Sequence, residues 1–351
     1  MIAAALPASR AALAIPAALI AALAIYPWLA TLPFPQHIVI MALLFATMGT
    51  AWNILGGLAG QVSFGHALYF GIGAYTAAYC YKHFALSALV TWPLALVIST
   101  AAAVAIGLPT FRLRGHYFVL ASVFIMQAVY IVVANWAALG AGIGLELPVY
   151  KAADWIDAAW HLQFRDSKLP FFYAALVLFV AALAAFEWIR RSRLGLLLTA
   201  VREEEDAARS LGVDTMRYKL VALVISAAFT TLCGMFYAHY VLYVEPVSTT
   251  SLVVSIEIAF IAIFGGIGTL WGPTLAAFVI IPMTELLRAY VSGRIALGMA
   301  GTLQDGGPLA YLKYYAAGGG GQIDILIYGL IIILIARFQP RGVLGFFRRL
   351  D

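Results

Sequence analysis

Long apolar runs, separated by short polar or glycine- and proline-rich breaks, make up most of the chain. A helix needs ~20 apolar residues to cross a bilayer. By that measure the runs predict ten spans, at roughly 11–31, 36–56, 65–81, 86–110, 116–138, 170–189, 216–242, 251–267, 272–291 and 323–338. The runs at 65–81 and 251–267 are short and carry glycines at one end. The first run follows Arg10 as a secretory signal would. It continues through Ile25 and Trp28 to Pro33-Phe34-Pro35 without a small-x-small cleavage site, so it reads as a retained span. The pattern predicts an all-α polytopic integral membrane protein of about ten transmembrane helices, forming one domain over 1–351.

Composition agrees. Of 351 residues, 64% are hydrophobic and 11% charged, whereas soluble domains are about one quarter charged. Too few charges remain to cover a soluble enzyme, and the chain is too apolar to be disordered. The net charge of +5 matters less than where the 21 lysines and arginines fall. With both termini inside, fourteen lie on the inner side, including Arg10, Arg112, Arg114, the 190–219 group and the Arg337–Arg349 tail. Seven lie outside: Lys82, Lys151, Arg165, Lys168, Arg288, Arg294 and Lys313. That asymmetry follows the positive-inside rule and favours an even number of spans. Cys80 and Cys233 sit in apolar runs and build neither a disulfide framework nor a zinc cluster, so no metal site is expected.

Three connections are long enough to carry function. The external 140–169 loop contains Trp155, Ile156, Ala159 and Trp160 on one helical face, which predicts a short interfacial helix. The external 292–322 loop ends in four glycines. The cytoplasmic 190–219 loop reads as a helix of about ten residues. Glu203 to Asp206 fill its first turn, Arg209 its last, and Gly212 follows the end. Glu205 and Arg209 form an i,i+4 pair, Asp214 caps the next span, and Ala207, Ala208 and Leu211 make a small apolar face. Such a face either docks into another protein's groove or lies on the membrane surface.

Two glycine-rich segments interrupt the spans. At 56–66, Gly56, Gly57, Gly60 and Gly65 predict backbone that leaves the helix, a state tolerated at membrane depth only inside protein or a polar cavity. Its free amides and carbonyls either meet a zwitterionic solute or form a tight turn between packed helices. Gln61, Ser63 and His66 are the side chains that would line a path. A second break at 265–273, with Gly265, Gly266 and Gly268, is either an inner gate or a helix-helix turn. Glu257 is an acidic residue well inside an expected span and needs a cavity or a partner. No Gly-Lys dipeptide occurs, so the chain has no phosphate loop of the G-x-x-x-x-G-K type. No catalytic residue and no cofactor are expected.

Asp206-Ala207-Ala208-x-x-x-Gly212 resembles the EAA loop of ABC importer permeases, with Asp for Glu and without the downstream Ile-x-Leu-Pro. Three further segments resemble the branched-chain amino acid importer permeases, most closely their M-type subunit. They are Asn53-Ile54-Leu55-Gly56-Gly57-Leu58-Ala59-Gly60-Gln61-Val62-Ser63-Phe64-Gly65-His66-Ala67, Arg112-Leu113-Arg114-Gly115-His116-Tyr117-Phe118, and Ser255-Ile256-Glu257-Ile258 with Gly265-Gly266-Ile267-Gly268-Thr269-Leu270-Trp271-Gly272-Pro273. The resemblance covers about 36–290. It departs at Gly140-Ala141-Gly142-Ile143-Gly144-Leu145, where the family carries Thr-Gly-Gly-x-x-Gly-Leu.

The resemblance implies a bacterial inner-membrane permease subunit, both termini cytoplasmic, paired with a homologous permease. Two cytoplasmic ATPase subunits and an external solute-binding protein would complete the importer, with no role for nucleic acid. It also implies coupling to the ATPase through Arg202, Glu205, Asp206, Ala207, Ala208, Arg209 and Gly212. A permease for urea or short-chain amides is the alternative in the same class. A stand-alone ion-coupled carrier, resting on Glu257, is the alternative from another class.

Overall fold

A computed structural model describes residues 10–30, 32–113, 115–150, 154–164 and 167–286, with side chains from Leu19 onward. The expected span at 323–338, the 292–322 loop, the basic tail and the end of the ninth span lie outside the described residues. Each of the other expected spans coincides with a helix. In chain order these are α1 (Arg10–Leu29), α2 (Pro33–Asn53), α3 (His66–Phe84), α4 (Ala88–Thr110) and α5 (His116–Asn135). A short α6 (Trp155–His161) precedes α7 (Leu169–Arg191). Then come α8 (Arg193–Glu203), α9 (Glu205–Ser210), α10 (Thr215–Val241), α11 (Pro246–Thr249) and α12 (Leu252–Gly266). A final described helix, α13, covers Gly272–Leu286.

Among the described residues six helices are long and apolar enough to cross a membrane: α2 with its extension to Leu58, α4, α5, α7, α10 and the α11–α12 stretch. The protein is therefore an all-α membrane protein. α3 is a 19-residue helix, buried along most of its length and exposed at Lys82 to Phe84, whose tyrosines and histidines lower its hydropathy.

Burial separates centre from rim. In α2, 94% of the most apolar window is buried, against 22% in α4 and α5. Val97, Phe124 and Val132 on α4 and α5 point outward, which an apolar surround rewards and water would not. Pro33 and Pro35 start α2 at little cost, because first-turn amides lack intrahelical acceptors.

The tightest packing is between α3 and α10. A Cβ on Gly73 would lie 2.0 Å from the Thr231 carbonyl oxygen, and one on Gly234 would lie 1.9 Å from that of Phe70. Lipid tails are as apolar as the helices, so the helices associate through such close approach and through polar contacts. Thr231 adds the second kind: its hydroxyl donates to the Tyr69 carbonyl at 3.2 Å and lies 2.6 Å from Ser99 Oγ on α4.

At the far end of α10 a two-residue strand β2 (Tyr243–Val244) pairs antiparallel with β1 (Leu145–Glu146), pinning the 140–169 loop. The predicted interfacial helix is α6. Trp155, Ile156 and Trp160 face outward, while Ala158 is its buried residue.

Valine at Gly73 or Gly234 must push two backbones apart. We expect either change to destabilise the fold by about 3 kcal/mol or more. Gly142, with only the Ala134 carbonyl 3.9 Å away, accepts alanine unchanged. Thermal unfolding of the purified variants in detergent measures the difference.

Candidate functional site

Both glycine segments and the 190–219 loop converge at one end of the bundle. α2 does not stop at its first glycines. It widens into a π turn, Ile54–Leu58, before the chain unwinds over 59–65. The expected break at 56–66 is therefore shorter, and Gly56 and Gly57 lie in the turn. Space explains this: a Cβ on Gly56 would fall 2.2 Å from the Trp52 ring, and one on Gly57 would fall 2.1 Å from Asn53 Oδ1. Gly60 has φ +69, which L side chains rarely adopt, and the Arg202 side-chain stem lies against it.

The freed backbone groups of the break are taken up by protein, as membrane depth demands. Gln61 N donates to the Leu55 carbonyl at 3.2 Å. Phe64 N donates to Ser122 Oγ at 3.0 Å, Gly65 N to Ser63 Oγ at 3.2 Å, and Ala67 N to Ser255 Oγ at 3.1 Å. The Ser63 carbonyl accepts from the Trp52 indole at 2.7 Å. The open sequence alternatives thus meet a braced turn whose amides at these four positions already have acceptors. Gln61 remains half-buried. Ser63 and Gly65 border a cavity of about 20 Å³ with Tyr69, Thr110 and Ser122, enough for one water.

His66 is fully buried. Its Nε2 lies 2.7 Å from Ser226 Oγ, whose hydroxyl donates 2.6 Å to the Ala51 carbonyl. The serine proton is therefore committed, so Nε2 is the donor of the pair. His66 joins the foot of α3 to α10 and α2. Glu257 sits half-buried on α12, two residues from Ser255.

The second break begins where α12 ends. Gly265 packs so closely on the Gly272 carbonyl that a Cβ would sit 2.0 Å from it, and Gly266 and Gly268 have φ of 123 and 79. Asn53 grips this turn from α2: its Nδ2 donates to the Thr269 carbonyl at 2.7 Å, and its Oδ1 accepts from Gly268 N at 2.8 Å. Arg202 completes the junction by donating from Nη1 to the Gly57 carbonyl at 2.9 Å. One side-chain amide and one guanidinium thus tie the two breaks and the loop together.

The loop itself departs from the single helix expected. Glu204 is extended, with φ −154 and ψ 101, and divides it into α8 and α9. Glu203 ends α8, paired with Arg202 at 2.7 Å. Glu205 opens α9 and accepts from Lys219 at 2.5 Å, from Arg209 at 3.1 Å and from the Thr215 hydroxyl at 3.1 Å. Lys219 is 2% exposed. The expected apolar face is also rearranged: Ala208 is buried, whereas Asp206, Ala207 and Leu211 are exposed. Gly212, at φ +85, turns the chain toward Asp214, which caps α10 by accepting from Arg217 N at 3.1 Å.

Sequence reasoning missed Asn53, Ser226, Ser255 and the role of Lys219. The available signal was a polar residue inside or just within an apolar run.

Burial alone would raise the Glu205 carboxyl. The hydrogen bond and charge of Lys219, the Thr215 hydrogen bond and Arg209 outweigh it and hold the carboxyl below its ordinary value. A depressed folded value means the contribution is present above the unfolded carboxyl value and is lost as pH falls through the folded one. Glu205→Gln leaves Lys219 buried without its counter-charge and should cost about 3 kcal/mol, with Glu205→Gln/Lys219→Met recovering much of it. Thermal unfolding should show that loss for the single variant at neutral pH, and a smaller one once the carboxyl is protonated.

The family described as branched-chain amino acid transport system, permease component, matches residues 34–336. The high-affinity branched-chain amino acid transport system permease protein LivM of Salmonella typhimurium is 30% identical over 267 residues, covering 71% of this chain and 63% of that protein. The same protein of Escherichia coli K12 aligns equally well. LivH of Escherichia coli K12 is 23% identical over 259 residues, covering 71% of this chain and 83% of that protein. The chain thus spans just under two thirds of the length of these two LivM proteins. No solved structure matches it.

Proposed function

The chain belongs to the branched-chain amino acid transport permease family, and we propose that it is the transmembrane permease subunit of an ATP-driven importer, forming the path for branched-chain or related amino acids. In this reading it sits in a bacterial inner membrane with both termini cytoplasmic. It pairs with a homologous permease, receives solute from an external binding protein, and couples to two separate ATPase subunits. It carries out no hydrolysis itself, in keeping with a sequence that has no phosphate loop.

The observation that carries the reading is the Arg202–Gly57 hydrogen bond together with the Asn53 clamp. A loop serving only to connect two spans has no need to reach into the first helix break, which Asn53 in turn ties to the second. Asp206, Ala207 and Leu211 on the exposed side of α9 form the docking face for the ATPase, and Glu205 and Arg209 hold α9 to the foot of α10. Gly212 sets the angle of that connection. Motion of the docked loop passes through Arg202 to the turn at Gly57 and Gly60, and through Asn53 to Gly265, Gly266 and Gly268. The gate opens where those glycines allow the backbone to hinge. Gln61, Ser63 and Glu257 border the solute path in this reading, and His66 holds α3 in register behind it.

The test uses the reconstituted transporter with its ATPase and binding protein. Arg202→Ala should lower ATP-driven leucine uptake at least about tenfold while the ATPase still co-purifies, because a hydrogen bond to a charged group contributes about 1.5–3 kcal/mol. Ala207→Glu should instead weaken ATPase co-purification, because it places a charge in the docking face. Normal uptake in both variants would contradict the coupling role.

A further inference from the structure

Four apolar helices meet at the boundary opposite the 190–219 loop. Tyr240, near the end of α10, lies about 38 Å from Thr215 at the rise of an α-helix, more than the thickness of a bilayer core. Around it stand the last turn of α1 and the first turns of α2 and α7. Between them opens a cleft of about 610 Å³, walled by Trp28 from α1, Pro33 and Gln36 from α2, Lys168 and Phe171 at the start of α7, and Tyr240. Its size is that of a small-molecule site.

One charge stands in this wall without a counter-charge. The Lys168 ammonium lies 5.8 Å from the Tyr240 ring centre and donates to the Pro33 carbonyl at 3.4 Å, so it sits between two groups of the wall. Among the described residues no carboxylate pairs with it. Two of its three N–H groups therefore keep their donating capacity, and burial lowers the ammonium from its ordinary value. Ser167, also in the wall, accepts from Leu169 N at 3.1 Å and retains its hydroxyl proton. The neighbouring polar groups are engaged with protein. Gln36 Nε2 donates to the Pro27 and Ala30 carbonyls at 3.3 and 2.9 Å, the Trp28 indole donates to the Tyr173 hydroxyl at 2.8 Å, and the Tyr240 hydroxyl lies 2.7 Å from His37 Nδ1. Free donors are thus gathered at Lys168 and Ser167, which is the chemistry of an anion site.

Position narrows the anion. The cleft lies where spanning helices begin and end, the level at which hydrocarbon gives way to headgroups, and Trp28, 70% exposed, is an indole placed as interfacial indoles are. Toward the membrane centre, Ile25 on α1 and Val177 on α7 are exposed. A small free anion gains nothing from that apolar surface, whereas acyl chains cover it. We propose that the cleft binds the headgroup of an anionic phospholipid, with its phosphate on Lys168 and Ser167 and its acyl chains on the exposed apolar surface of α1 and α7. The headgroup is one without an ammonium, because Lys168 already supplies that charge. The bound lipid fastens α1 to α2 and α7 at this end, where Gln36 and Trp28 also hold it.

Native mass spectrometry of the delipidated full chain tests the proposal, by titration with phosphatidylglycerol, phosphatidylcholine or the soluble sn-glycerol 3-phosphate. Lys168→Met should hold one tightly bound phosphatidylglycerol fewer than wild type. The site lost should prefer phosphatidylglycerol to phosphatidylcholine at least about fivefold, the factor expected of one basic residue at a lipid surface. Filling it should raise the thermal unfolding temperature of wild type, as any ligand of the folded state does, and raise that of Lys168→Met less. Lys168→Arg keeps the charge and should keep the site. Lys82→Met, which removes an exposed lysine at the same boundary, should also keep it. Ser167→Asp puts a negative charge at an exposed position of the wall and should lose the site, which gives a second test should Lys168→Met not fold. The same number of tightly bound lipids in wild type, Lys168→Met and Ser167→Asp overturns the proposal. An equal loss in Lys82→Met overturns it as well, since diffuse surface charge then accounts for the binding. Displacement of the lipid by an equal concentration of glycerol 3-phosphate overturns the lipid assignment in favour of a free phosphate ester.

Discussion

The hydrogen bond from Arg202 to the Gly57 carbonyl is the contact that joins the 190–219 loop to the helix breaks, and the proposed coupling depends on it. Unwinding a helix inside a bilayer frees backbone groups that lipid cannot satisfy. The chain answers with side chains drawn from distant positions: Ser122 and Ser255 for amides, Trp52 and Arg202 for carbonyls. Arg202 differs from the rest because it arrives on the connection between α7 and α10. In the proposed mechanism the same bond that satisfies the turn gives the loop mechanical purchase on it.

Packing elsewhere supports that arrangement. The close approach of α3 and α10 at Gly73 and Gly234 locks those two helices together, and His66 with Ser226 anchors the foot of α3 to α10 and α2. Lys219 and Glu205 then hold α9 against that same helix. A buried pair of this kind adds little to stability compared with apolar packing, but breaking it leaves a stranded charge. It is suited to defining one position for the loop.

Much of this architecture was legible in the residue pattern. Runs of about 20 apolar residues have few alternatives to a spanning helix, and α2, α4, α5, α7 and α10 fall where the runs place them. What escaped was set by tertiary contacts. Glu203, Glu204 and Glu205 are good helix formers in a row, yet Arg202 holds the first and Lys219 the last, and the chain extends between them. Gly56 and Gly57 read as an unwound break, but the Trp52 ring and the Asn53 amide occupy the space beside them and keep a π turn. Lys219 counted as a topology-setting charge, although it is buried.

The central claim is that loop and gate move together because Arg202 joins them. Spin labels at the exposed positions Ala207 and Ile267, each measured against a label at Phe124 on α5, test it by electron–electron distance measurement in the reconstituted transporter, with Cys80 and Cys233 replaced by alanine. Trapping the ATPase with nucleotide should shift both distances in the otherwise native chain. In Arg202→Ala, position 207 should still shift while position 267 stays where it was. Equal shifts at 267 with and without the arginine would contradict the account.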